Sequence, residues 1–245
     1  MLKKLSKFIL DLFFPKKCFG CGKAGTYICN SCLEKIEIIP KNQCPICGKV
    51  TPNGLLCKKC KEQSSLDYLI WAVLYSNPLI KKLIKAFKYN YIKELAKPLS
   101  KLLIKSIERN FQFSIFNFQF MVIPIPLHKR KLRERDFNQA ELLAKEVAKQ
   151  FSIPLENGIL KRNQFTFPQA KIKDYKIRRE NVKNIFEIER KFVKKCKAEN
   201  KNLLQEKTII LVDDVATTGA TLSEAAKVLK KAGAKEVWGL VIAKG

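Results

Sequence analysis

Read for its alternation of apolar and polar positions, the chain changes character near residue 63. Beyond that point, apolar runs of strand length alternate with stretches of helical period. "DYLIWAVLYS" (67–76) is a continuous β-rich run. In "NPLIKKLIKAFKY", Asn77 stands as an N-cap and Pro78 at the first helical position, with Ile80, Ile84 and Phe87 on one face. "YIKELAKPLSKLLIKSI" keeps the helical period, and Pro98 is expected to kink or divide it. "FMVIPIPL" (120–127) reads as a buried strand closed by prolines. "HKRKLRERDFNQAELLAKEVAKQF" reads as a basic loop running into a helix capped by Asp136 or Asn138, with the stripe Phe137, Ala140, Ala144, Val147 and Phe151. The last unit is a strand at 208–213, a loop, and a helix at about 220–232 with Leu222, Ala225, Ala226 and Leu229 on its face. Gly233 serves as its C-cap, and the strand "EVWGLVIAK" follows. Strand–helix–strand order with uninterrupted apolar strands predicts a parallel α/β sheet.

Three segments fall outside that rhythm. The N-terminus "MLKKLSKFILDLFFPKKC" imitates a signal peptide, but Ser6, Lys7 and Asp11 interrupt it while Leu5, Phe8, Ile9, Leu12 and Phe13 recur at helical spacing; it reads as an amphipathic helix. "FQFSIFNFQF" (111–120) offers rings for stacking on bases, or a buried strand edge or an insert shaped by composition. From 160 to 206 the chain is polar, with Gln164, Gln169, Arg178, Arg179 and Asn181 among lysines, and reads as a solvated excursion. No apolar run reaches the roughly 18 residues of a membrane span. The expectation is a cytoplasmic protein with no membrane insertion.

Nine cysteines are many for such a chain. Eight form four C-x-x-C pairs: Cys18/Cys21, Cys29/Cys32, Cys44/Cys47 and Cys57/Cys60. Each C-x-x-C turn lets two thiolates meet one tetrahedral metal, so four pairs make two zinc sites. Pairing in sequence order gives a double zinc ribbon over residues 1–62, ahead of a second domain at 63–245; a cross-braced pairing is the alternative. Glycines as in "CFGCGKAG" and "CPICGKV" permit the tight knuckle backbone. A segment this short and poor in large apolar side chains needs the metal to fold, and four thiolates leave no open coordination position for catalysis. Cys196, in "KKCKAENK", reads as a spare surface thiol.

The net charge of +26 invites a polyanionic partner, although a lysine-rich solvated surface accounts for part of it. Arginine is more selective. Of the 48 basic residues only eight are Arg, all between positions 109 and 190, and Lys129, Arg130, Lys131, Arg133 and Arg135 crowd into one segment. The guanidinium fork grips phosphate bidentately, so this cluster is the candidate site for DNA or pyrophosphate. His128, the single histidine, precedes it.

The chemistry concentrates in "IILVDDVATTGATL" (209–222). Ligands of an open parallel sheet bind beyond the carboxyl ends of its strands. There, "TTGAT" opens a helix whose N-terminal amides favour an anion, Thr217, Thr218 and Thr221 add hydroxyls, and Gly219 lets backbone approach. Adjacent carboxylates are wrong for phosphate and right for sugar hydroxyls. A ribose 5-phosphate fits both halves.

This stretch resembles the phosphoribosyl pyrophosphate (PRPP) motif of type I phosphoribosyltransferases. The resemblance implies that Asp213 and Asp214 take the ribose 2′ and 3′ hydroxyls while Ala216, Thr217, Thr218, Gly219, Ala220 and Thr221 hold the 5′-phosphate, with Mg²⁺ held largely by the substrate's own oxygens. It also implies attack of a nucleophile on C1′ with loss of pyrophosphate. Together, "FILDLFFP", the paired C-x-x-C motifs, "IPIPLHKRKLRERDFNQAELLA" and "LVDDVATTGAT" resemble the ComF family of competence proteins. That family implies a type I phosphoribosyltransferase-like parallel sheet flanked by helices behind a double zinc ribbon, and a cytosolic role with incoming single-stranded DNA and the competence machinery. Its usual glycine in "R-G-F-N-Q" is Asp136 here, and the stretch 190–206 is longer than usual. A nucleobase phosphoribosyltransferase of nucleotide salvage is the alternative function, and no segment specifies an acceptor base.

Overall fold

The computed structural model describes residues 15–39, 43–111, 119–164, 180–199 and 202–245. The expected N-terminal helix, most of the aromatic stretch 111–120, and Gln169, Arg178 and Arg179 lie outside them. Four parallel strands form the central sheet in the order β1–β6–β5–β2, where β1 is Tyr68–Leu74, β2 Phe120–Pro124, β5 Thr208–Ala216 and β6 Glu236–Lys244. Leu155 bridges Val122 in parallel beyond the β2 edge. A separate antiparallel pair joins β3 (Leu160–Arg162) to β4 (Phe186–Ile188). The helices are α1 (Asn30–Glu34), α2 (Lys58–Lys61), α3 (Pro78–Tyr89), α4 (Ala96–Asn110), α5 (Lys129–Arg135), α6 (Gln139–Phe151), α7 (Arg190–Ala198) and α8 (Ala220–Lys231).

The apolar pattern dictates most of this. The Asn77 side chain accepts hydrogen bonds from Leu79 N and Ile80 N, with Pro78 in the first turn of α3. Pro98 falls within the first turn of α4, where its missing N–H costs nothing, and a short 3₁₀ turn at Lys93–Leu95 separates α4 from α3. Asn138, not Asp136, caps α6 by accepting from Ala140 N. Leu222, Ala225, Ala226 and Leu229 of α8 are all buried.

Two expectations change. The basic run at 129–135 is a helix, not a loop: His128 caps it, Nδ1 accepting from Arg130 N at 3.3 Å, and Asp136 ends it in the left-handed conformation (φ 61°). The region 160–206 is only partly a solvated excursion. It contributes β3, β4 and α7, with Val182, Ile185, Phe186, Phe192 and Leu204 buried against α8 and β6. Cys196 is half-buried there. Phe111 packs on Tyr68 and Trp238, as does Phe120 on Trp238, so the two ends of the aromatic stretch are core.

The sheet separates two cores. One holds Ile210, Val212, Leu240 and Ile242 with α3, α4 and α6; the other holds Ile209, Leu211, Val237 and Val241 with α8. The cysteine-rich region feeds both. Cys18, Ile28, Leu33 and Ile36 enter the first core and Leu56 the second.

One buried carboxylate ties the join together. Asp67, 3% exposed, accepts from Val237 N at 2.9 Å and pairs with Lys61 and Lys230, each at 2.8 Å. Burial would raise its pKa, but Lys230, Lys61 and that amide together hold it below the usual carboxylate range. Its stabilisation is therefore full at neutral pH and is lost as pH falls through that lowered value. Asp67→Ala strands two cations and a buried amide and should cost about 3 kcal/mol, read as a lower urea midpoint of the zinc-saturated protein at pH 7. Asp67→Asn, which keeps an acceptor for Val237, should lose less; an unchanged midpoint in both refutes the anchor.

Candidate functional site

The eight paired cysteines gather in sequence order, as Cys18, Cys21, Cys29 and Cys32, and as Cys44, Cys47, Cys57 and Cys60, with the sulfurs of each set all within 4.8 Å of one another. Cys18 and Cys21 each lie 3.7 Å from Cys29 across the first site, and Cys47 lies 3.5 Å from Cys57 across the second. A tetrahedral zinc with arms of about 2.3 Å calls for sulfur separations of about 3.8 Å. The donor set fits zinc. Gly22 and Gly48 turn each knuckle at positive φ, and their amides donate to Cys18 O and Cys44 O. At Gly20 a side chain is excluded outright, since a Cβ would meet the Cys32 sulfur at 2.7 Å. Burial would raise the Cys18 thiol, but amides of Cys21, Cys29 and Gly20 outweigh it and bring its pKa down to about 6, favouring the thiolate that metal needs.

The second site lies at the carboxyl end of β5. The strand runs three residues beyond its expected end, so Asp213 and Asp214 are still within it, with Asp213 opposite Val241 of β6. Neighbouring strand residues point to opposite faces, and the two acids meet different partners. Asp214, 6% exposed, pairs with Lys88 at the end of α3, Nζ to Oδ1 2.7 Å. Asp213 accepts from Asp214 N at 2.8 Å and lines a cavity of about 30 Å³ with Val215, Ala216, Thr217, Gly219, Ala220, Thr221 and Leu222. Gly219 adopts φ 74° at the head of α8, and Thr218 Oγ1 accepts from Ala220 N. The acids and the loop predicted from the sequence thus share one end of the sheet.

Electrostatics set the character of this end. Burial, then the charge on Asp214, pushes the Asp213 carboxyl up to about 7, with Lys88 and Arg162 opposing. Burial would lower Lys88, but the two acids outweigh it and raise its pKa. Arg162, on β3, is lowered by burial and supported by Asp213. Lys131 is lowered by burial and by Arg162, Arg135 and Lys88. Lys131 therefore lies close enough to feel three other cations, two of which, Lys88 and Arg162, face the acids, an arrangement complementary to a polyphosphate.

This divides the basic cluster. Lys131 and Arg135 are half-buried on the side of α5 toward these groups, whereas Lys129, Arg130 and Arg133 are exposed. Arg130 pairs with Glu134, and Arg133 makes no ion pair among the described residues. Arg135 donates to Gln139 Oε1 at 2.9 Å; Gln139 is 2% exposed and its Nε2 has no hydrogen-bond partner among the described residues. Asp136 points away, paired with Lys93 at 2.8 Å and 89% exposed, which keeps its charge off the site and its pKa low.

Comparison with known proteins matches two domain families to separate parts of the chain. The double zinc ribbon domain family matches residues 9–61, and the phosphoribosyl transferase domain family matches 138–244. The chain is 32% identical over 236 residues to "Competence protein F" of Haemophilus influenzae, across 93% of this chain and 97% of that one. It belongs to the ComF family of competence proteins. Two further relatives are "Competence protein ComFC" of Bacillus subtilis (29% identical, 84% of this chain and 79% of that one) and "DNA utilization protein YhgH" of Escherichia coli K12 (27%, 86% and 88%). As a ComF protein the chain carries a phosphoribosyltransferase-like parallel sheet and two cysteine tetrads. No helix among its described residues is long and apolar enough to cross a membrane.

Sequence reasoning did not single out Lys88, Arg162 or Gln139. The scarcity of arginine was a signal for Arg162; nothing in "KAFKYN" marks Lys88, whose role exists only once α3 packs beside β5.

The tetrads yield a direct test. Elemental analysis of reduced, purified protein should give two zinc ions per chain, and Cys18→Ala or Cys44→Ala should each lower the ratio toward one. A ratio near zero in the unmodified protein with no free thiols would mean disulfides, not metal.

Proposed function

We propose that the end of β5 binds PRPP, or another ribose 5-phosphate ligand, and that this ComF protein acts in the cytoplasm on incoming single-stranded DNA during natural competence. The observation that carries the reading is the shared cavity of Asp213 and the loop 216–221 beside the cations Lys88, Lys131 and Arg162. Asp213 and Asp214 accept hydrogen bonds from the ribose 2′ and 3′ hydroxyls. The amides heading α8 and the hydroxyls of Thr217, Thr218 and Thr221 take the 5′-phosphate. Lys131, Arg135 and Arg162 offset the charge of the pyrophosphate. Mg²⁺ arrives on the substrate's own oxygens: among the described residues only the cysteine tetrads gather three or more metal-binding side chains.

The reaction this arrangement suits is phosphoribosyl transfer. An acceptor nucleophile attacks C1′, the C1′–O bond breaks, and pyrophosphate leaves with the bonding pair. The cations stabilise the departing charge, and the ionised acids hold the ribose while positive charge spreads between C1′ and the ring oxygen. The DNA role is supported by the exposed Lys129, Arg130 and Arg133, by the net charge of +26, and by relatives named for competence and DNA utilization. The acceptor is the quantity to measure: pyrophosphate release from PRPP with a panel of nucleobases distinguishes transfer to a free base, the salvage reading, from a DNA-linked role.

Asp213→Asn and Asp214→Asn should each weaken PRPP binding by roughly 1.5–3 kcal/mol, the worth of a charged hydrogen bond, in calorimetry on folded protein. Unchanged affinity would sink the ribose assignment. Because the Asp213 pKa is raised to about 7, the acid is protonated below that value and accepts from two hydroxyls only when ionised. PRPP affinity should therefore rise with pH through about 7, and Asp213→Asn should flatten the rise. For DNA, replacing Arg130, Arg133 and Arg135 together by Gln should flatten the salt dependence of single-strand binding by up to about two units, at about 0.7 per phosphate contact. Loss of PRPP binding with DNA affinity and slope intact would assign the cluster to the pocket.

A further inference from the structure

Tyr89 and Tyr91 are the most exposed aromatic side chains among the described residues, at 59% and 49%. They lie two residues apart where α3 ends, with Tyr89 immediately after Lys88, the partner of Asp214. Tyr91 is held at φ 56°, a conformation costly for a bulky side chain and kept only where surrounding structure enforces it. The residues on either side of it, Tyr89 and Lys93, meet the end of the basic helix and the residues that follow it. Arg135 lies over the Tyr89 ring at 5.5 Å, and Lys93 lies over the Phe137 ring at 5.1 Å while pairing with Asp136. Leu132 of α5 is also exposed, at 42%. The exposed Tyr89 ring thus lies against the last residue of the helix that presents Lys129, Arg130 and Arg133 to solvent, with the exposed Tyr91 two residues further on.

We infer that Tyr89 and Tyr91 form a stacking platform for the bases of single-stranded DNA, whose phosphates run along α5. The inference rests on the DNA reading above and adds which residues meet the bases. Neither half suffices alone. A basic helix attracts any polyanion, and exposed rings attract any flat apolar group. Their juxtaposition selects a chain with both phosphates and unpaired bases, which duplex DNA does not offer. Stacking tolerates any base, as suits a protein meeting arbitrary sequence. Tyr89 also follows Lys88, the partner of Asp214, directly in the chain, so a strand on the platform passes close to the ribose site.

The test uses fluorescence anisotropy with the full-length protein, a labelled thymidine 15-mer, and a 15-mer of the same backbone without bases. The unmodified protein should bind the base-bearing strand more tightly. Tyr89→Leu and Tyr91→Leu should each lose about 5- to 100-fold in affinity for that strand, keep the salt slope, and bind the abasic strand as before. Tyr89→Phe and Tyr91→Phe, which keep the ring, should behave as the unmodified protein. If the Leu variants keep full affinity for the thymidine strand, the platform is refuted while the DNA reading stands. If the unmodified protein binds neither strand, the DNA reading fails as well. An RNA 15-mer that binds tenfold more tightly through the same tyrosines would overturn DNA as the partner.

Discussion

The site depends on the burial of β5. This strand is paired on both sides, by β6 and β2, and covered on both faces by apolar side chains. Asp214 at its end is buried and Asp213 half-buried, so neither can be hydrated as a surface acid is, and their charge must be compensated. Everything around them follows from that constraint. Lys88 is drawn in against Asp214, Arg162 supports Asp213 from β3, and the Asp213 proton is held to about neutral pH. Crowding cations and acids in low dielectric gives the site the charge arrangement that the proposed ligand, with hydroxyls and phosphates together, requires.

The double zinc ribbon is not a detached appendage. Its first half feeds the core beneath α3 and α4, and its second half feeds the core beneath α8. Backbone bonds from Ile39 N to Ala72 O and from Leu56 N to Asp67 O fasten it to both ends of β1. Metal coordination replaces the large apolar side chains that such a short segment lacks. Ser65 N and Ser64 Oγ both reach Ser223 Oγ, at 3.0 and 3.2 Å, which carries the connection to the first turn of α8, beside the loop 216–221.

Local patterns made the sheet, its helices and the two metal sites legible. The strands of the central sheet carry continuous apolar runs, α3, α6 and α8 carry unbroken stripes, and C-x-x-C spacing is a geometric requirement written directly into the chain. The acids and "TTGAT" were legible for the same reason: they are contiguous. The helix α5 was not, because seven residues dominated by Lys, Arg and Glu show no apolar stripe, and its start and stop depend on a histidine cap and a left-handed aspartate. Phe192 and Phe186 sit in a lysine-rich stretch, so their burial answers to α8 and not to any local period. The pairing of Lys88 with Asp214 and the approach of Arg162 to Asp213 join segments far apart in sequence, where no spacing rule applies.

The pairing of β1 with β6 has a consequence for synthesis. Among the described residues the one sheet neighbour of Tyr68–Leu74 is β6, residues 236–244, so on the ribosome β1 waits until those residues emerge. The cysteine tetrads close over short loops and need no such delay. The cysteine region is thus able to bind metal and close while the seven-residue apolar strand beside it has no sheet to join. Vectorial folding of this topology is non-local and slow, and the vulnerable interval of β1 lasts until β6 emerges.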